Sequence, residues 1–121
     1  MVEVIKVLED VTATATSSAV NIEDAKKVVL VYKRSNHASG KTVFSATVSV
    51  DGVNYIAYSK WISNAANTNE QDLTRVASVD TGTADATGFL TMSPEDGFKD
   101  IKVTATETTD GTHAAWLYIE R

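Results

Sequence analysis

Along most of this chain apolar and polar residues alternate with period two, the spacing of a half-buried strand and not of a helix. The clearest case is Thr42–Val50, with Phe44, Ala46, Val48 and Val50 on one face and Val43, Ser45, Thr47 and Ser49 on the other. Lys26–Arg34 is the strongest run. Val28, Leu30 and Tyr32 point one way, and Val29 and Val31 the other. Apolar residues on both faces predict a central strand, covered in part on both sides. Phe98–Thr108 sends Ile101, Val103 and Ala105 inward and Lys102, Thr104 and Thr106 outward, and Thr112–Ile119 follows it. Further strands are predicted at Val2–Leu8, Val53–Ile62, Leu73–Asp80 and Phe89–Met92, with weaker spans at Val11–Thr16 and Ala19–Ile22.

Turn chemistry separates these runs. Asn36–Thr42 carries Gly40, Ser93–Gly97 carries the only proline, and Thr109–Gly111 reads as a tight turn. Thr81–Gly88 reads as a turn leading into the next strand, and Ser63–Asp72 is a polar loop with three asparagines. Asp51-Gly52 is the best hairpin signal. A two- or four-residue loop there places Tyr55 and Ala57 on the face of Val48 and Val50, leaving Ile56, Tyr58 and Ile62 on the other. Short strands, frequent turns and no helix of useful length predict an all-β fold, an antiparallel β-sandwich or jelly roll of about eight strands.

Composition agrees with this. Sixteen threonines and abundant valine suit a pleated sheet better than a helix. With 121 residues, 43% hydrophobic and 22% charged, residues 1–121 are expected to form a single domain with a true core. The net charge of −5 argues against non-specific nucleic-acid binding, which needs a basic footprint. Lys26, Lys27, Lys33 and Arg34 form a small basic cluster, read as solubilising charge at a strand rim. No apolar run approaches the roughly 18–20 residues that span a bilayer, and charges interrupt the first ten residues too often for a signal peptide. No membrane partner is expected.

The candidate chemistry is thin. There is no cysteine, and the two histidines, His37 and His113, lack metal-ligand spacing. Asp80, Asp85, Glu95, Asp96 and Asp100 cluster around two loops, but the calcium-loop pattern is absent. No nucleophile elbow and no phosphate-binding loop occur. The chain is therefore read as non-enzymatic, with no metal and no cofactor. Aromatic residues are the remaining device for binding. Trp116 shares a face with Tyr118 and is expected to anchor the core. Tyr58 and Trp61, with the amides of Asn64, Asn67 and Asn69, are the candidate contacts for a partner or a sugar. Val2, Val4, Ile5 and Val7 form a candidate assembly strand, since their poor alternation suggests cover from another chain.

Three segments carry a resemblance that spans nearly the whole chain: "AVNIEDAKKVVLVYKRSNHASGKTVFSATVSVDGVNYIAYSKWI" at Ala19–Ile62, "NTNEQDLTRVASV" at Asn67–Val79, and "DGFKDIKVTATETTDGTHAAWLYIE" at Asp96–Glu120. Their pattern is similar to that of small β-sandwich structural proteins of tailed bacteriophages. The resemblance implies a virion component: a capsid decoration or tail accessory protein, made in the host cytoplasm. It would bind a capsid or tail protein and form a homo-oligomer, a trimer by preference. A shorter stretch, "SVDGVNY" at Ser49–Tyr55, resembles the hairpin of discoidin-type carbohydrate-binding sandwiches, with Tyr55 where those have Trp. It implies the alternative, a carbohydrate-binding or host-recognition module.

Overall fold

The computed structural model describes residues 2–63, 74–82, 84–92 and 97–121. Twelve strands are formed among them: β1 (Val2–Val11), β2 (Ala15–Thr16), β3 (Val20–Asn21), β4 (Lys27–Ser35), β5 (Thr42–Ser49), β6 (Ile56–Ala57), β7 (Trp61–Ser63), β8 (Thr74–Val76), β9 (Ser78–Asp80), β10 (Ala86–Thr91), β11 (Asp100–Glu107) and β12 (Thr112–Glu120). They make two antiparallel sheets. The first has the order β1-β12-β4-β10-β7-β8. The second has the order β2-β11-β5-β6, with β3 also on β11 and β9 also on β5. Among the described residues none is helical, and none forms a helix long and apolar enough to cross a membrane.

The inward rows of the two sheets meet in one core. Leu117, Leu30 and Leu90 lie in register across β12, β4 and β10. They face Phe44, Ala46 and Val48 of β5 and Ile101, Val103 and Ala105 of β11, all fully or almost fully buried. The predicted central position of Lys26–Arg34 is realised, since β4 lies between β12 and β10. The turn predicted at Thr81–Gly88 ends sooner than expected, since residues 86–88 already belong to β10. Gly88 sits inside β10 opposite Tyr32, and a Cβ added there would collide with the Tyr32 phenol. The missing side chain is what lets that ring lie flat across the strand.

Two predicted strands do not exist as single elements. Val53–Ile62 divides into β6, in the second sheet, and β7, in the first, and Leu73–Asp80 divides likewise into β8 and β9. The chain crosses between the layers at both places, so a segment that reads as one alternating run serves both sheets. The Asp51-Gly52 turn is also longer than a two-residue hairpin. Thr47 pairs with Ala57 and Val48 with Ile56, which leaves residues 49–55 as the loop. The Asp51 carboxylate organises that loop by accepting the backbone N–H groups of Val53 and Asn54, both at 2.8 Å, and the side-chain amide of Asn54 at 2.8 Å. These bonds hold its carboxyl well below the ordinary carboxylate range. Gly52 (φ 79°) supplies the left-handed residue. An odd loop length exchanges the faces of Tyr55 and Tyr58 relative to an even one. Tyr55 therefore points outward, where Lys102 Nζ lies 4.3 Å from its ring, and Tyr58 points inward.

Candidate functional site

The two outer faces of the sandwich differ in kind. On the second sheet, Lys102, Thr104 and Thr106 of β11 are in register with Thr47, Ser45 and Val43 of β5. Thr16 of β2 adds a hydroxyl 3.0 Å from that of Thr104. This face is dominated by hydroxyls and suits water. On the first sheet, the residues that alternate with the buried Leu117, Leu30 and Leu90 are mostly apolar. One row runs Val4, Tyr118, Val29, Thr91, Ile62 across β1, β12, β4, β10 and β7. The next runs Lys6, Trp116, Val31, Phe89. Val2 continues the apolar surface at the margin. At about 4.8 Å per strand, the longer row spans roughly 19 Å. Val2 (56%), Val4 (53%), Phe89 (43%) and Tyr118 (39%) are the exposed members, and Val29, Val31, Ile62 and Trp116 are half-buried. Lys6, Lys27, Lys33 and Glu120 border the patch, and Lys6 Nζ lies 5.3 Å from the Trp116 ring and 3.1 Å from Asp10. A contiguous apolar surface with a charged rim is the form of a protein contact site.

A second feature closes one end of the sandwich. The Arg34 side chain is fully buried. Its Nη1 donates to the carbonyls of Gly40 (3.1 Å) and Gly82 (2.9 Å), and its Nη2 to those of Ser39 (2.8 Å) and Asp110 (2.9 Å). One guanidinium thereby fastens the β4–β5, β9–β10 and β11–β12 connections. Asp110 Oδ1 lies 3.4 Å from Nη2 and also accepts the N–H of Ala38 at 2.9 Å; bonds from Ala38 and Ser39 lower its pKa from 3.8. Around this clamp, Asp85 Oδ1 lies 2.6 Å from His37 Nδ1, and Asp80 pairs with Lys41 at 3.0 Å. The pKa of Asp85 is lowered chiefly by the His37 side chain, and that of Asp80 chiefly by the N–H of Gly82. His113 is buried, with Nδ1 3.2 Å from the Thr42 hydroxyl and Nε2 3.5 Å from Glu107. Arg34, expected as rim charge, is instead a buried clamp. Its parity, following Val28, Leu30 and Tyr32, was the signal. His113 follows the parity of Ala115, Leu117 and Ile119 in the same way.

Acid sensitivity follows from these groups. Burial pushes the His113 imidazole below its ordinary 6.5, so the unfolded chain takes up that proton first as pH falls. The associated stability is complete above about pH 6.5 and declines below it. Asp80, Asp85 and Asp110 lie below 3.8 in the folded chain and add a second decline below about pH 4. Thermal melts between about pH 8 and about pH 3 are expected to show both limbs. His113→Asn should remove the upper limb and leave the lower.

The remaining candidates divide clearly. Tyr58 and Trp61 are 2% and 0% exposed, so the expectation of an exposed aromatic pair is corrected. They fill the space where the chain crosses from one sheet to the other, with ring centroids 5.0 Å apart at 82°. Asn64, Asn67 and Asn69 lie outside the described residues. Trp116, expected in the core, lies on the outer face, because Leu117 and Ile119 hold the inward parity of β12. Val2 and Val4 are exposed on β1, whereas Ile5 and Val7 pack against the core. Val29, Val31 and Ile62 keep the faces expected of them, opposite the core row, and Phe89 of β10 joins them through the sheet order. Among the described residues, no three His, Asp or Glu side chains are grouped to hold a metal ion.

Fold and surface together define an all-β, two-sheet protein with one hydroxyl-rich and one apolar outer face. No protein-family model and no curated protein matches the chain. Among solved structures, the fold is similar to that of the SPBc2 prophage-derived protein YomS, with a TM-score of 0.67 and 11% identity over 99% of this chain and 94% of that one. It is also similar to a chain in the structure of infectious bursal disease virus Gx strain, with a TM-score of 0.50 and 12% identity. That match covers 99% of this chain and 32% of the viral one. At these identities the likeness is one of fold.

Proposed function

We propose that this chain is a non-enzymatic structural protein of a bacteriophage virion, a capsid decoration or tail accessory component that binds and stabilises a protein lattice. The observation that carries the reading is the apolar outer face of the first sheet, from Val4 to Ile62, left uncovered among the described residues. The full-length likeness in fold to a prophage-derived protein supports the setting. Lattice binding does not require a strong single contact. Many equivalent modest contacts on one particle act together. The carbohydrate-binding alternative loses its aromatic pair with the burial of Tyr58 and Trp61.

The test uses particles purified from the virus that carries this coding sequence. The wild-type chain is expected in them at a constant copy number. Phe89→Lys combined with Val31→Lys places charge in the centre of the face and should lower incorporation by roughly tenfold or more. The melting temperature of the purified variant should change little, because both side chains point away from the core. Absence of the chain from particles, or undiminished incorporation of the double variant, would overturn the reading.

A further inference from the structure

The open edge of β1 is a second surface, distinct from the apolar face it borders. β1 has one strand neighbour among the described residues, β12, so its other edge presents unpaired backbone N–H and C=O groups. Natural edges are usually guarded by bulges, charges or proline. Here the bulges sit in the second half of the strand. The register with β12 shifts between Lys6 and Leu8 and again between Leu8 and Val11, and Asp10 adopts φ 55°. From Val2 to Lys6 the register is regular, and two valines there, Val2 and Val4, are exposed. Glu3, whose parity directs it to the core-side rim, has Arg121 at 3.7 Å.

We propose that two copies of this chain pair through this edge, antiparallel and about a two-fold axis at Val4, to form one continuous sheet. A two-fold perpendicular to the sheet sets a residue opposite its own copy, and charge selects which one. An axis at Glu3 or Lys6 would oppose like charges directly, which is destabilising. An axis at Ile5 would set Lys6 in the row of Val4 and Tyr118 of the other copy, where no carboxylate stands. The axis at Val4 sets Val4 against Val4 and Lys6 against Val2 of the other copy, and Val2 is the register partner of Glu120. Lys6 of one copy then shares a row with Glu120 of the other, two strand spacings or roughly 10 Å apart, across the small Val2 side chain. The long side chains of Lys and Glu can close that gap. The contact occurs twice by symmetry, and Glu120 already has Lys27 beside it in register on its other side. The partner is therefore a second copy of this chain, and the arrangement is two-fold where the phage resemblance implies three-fold.

The pairing deepens the assembly reading but is read on the purified chain alone, so its failure would leave lattice docking standing. Light scattering should give twice the 13.0 kDa chain mass. Val4→Lys and Val4→Glu should each be folded monomers by circular dichroism, and an equimolar mixture of the two should recover the dimer. The chain has no cysteine, so Val4→Cys introduces the sole thiol, and mild oxidation should convert it to a covalent dimer. A monomer at every concentration, a trimeric mass, a dimer that survives Val4→Lys, or a mixture that stays monomeric would each overturn the proposal. So would Ile5→Cys cross-linking in place of Val4→Cys.

Discussion

Replacing Arg34 with Met is expected to destabilise the protein by about 3–5 kcal/mol, with a melting temperature lower by roughly 10–20 °C. The size follows from what the guanidinium holds. Four carbonyls, from Ser39, Gly40, Gly82 and Asp110, accept from its two terminal nitrogens at 2.8–3.1 Å. Methionine fills much of the stem's volume and supplies no donor, so four acceptors lose their partner together and three loops lose their common anchor. Lysine is not equivalent. It keeps the charge, but a single ammonium cannot reproduce the planar fork, so Arg34→Lys should recover only part of the loss. Guanidinium-chloride titration at neutral pH separates these cases. A midpoint that falls at constant slope reports lost stability, and an unchanged midpoint for Arg34→Met would contradict the clamp.

Trp61→Ala should have an effect of the same order, about 3–5 kcal/mol, because it empties a fully enclosed site. Trp61 packs edge-on to Tyr58, which in turn meets Phe98 edge-on at 5.8 Å, so three rings lose their mutual support. The matching control is Trp116→Ala on the outer face, which should cost about 1 kcal/mol or less. The chain has only these two tryptophans, so fluorescence quenching sorts them without further labelling. Iodide should quench Trp116 readily and Trp61 poorly. Equal quenching, or a mild Trp61→Ala, would place Trp61 at the surface.

Period-two alternation located β4, β5, β11 and β12 closely, because these long strands each stay within one sheet and keep one parity throughout. It failed at Val53–Ile62 and Leu73–Asp80, where the chain changes layers and alternation no longer refers to a single core. The misplacement of Tyr58 has a sharper cause. Asp51-Gly52 suggested an even-numbered loop, and the Asp51 carboxylate builds an odd one, which exchanges the two faces. Arg34 and His113 were hidden by residue type, since Arg and His are rarely fully enclosed, although their strand parity was plain. The apolar outer face was half legible. The sequence placed Val29 and Val31 opposite the core row, but only the sheet order, with β4 between β12 and β10, unites them with Tyr118, Trp116 and Phe89.

The pairing of β1 with β12 has a consequence for biosynthesis. Val2 is matched to Glu120 and Lys6 to Trp116, residues that leave the ribosome more than a hundred positions apart. At ordinary elongation rates of about 5–20 residues per second, β1 waits on the order of 5–20 seconds for its partner. During that interval both of its edges are free and the sheet ends at β4. A nascent chain stalled before residue 112 lacks the strand on which β1 is laid, so the final layer of the first sheet is completed only when synthesis reaches β12.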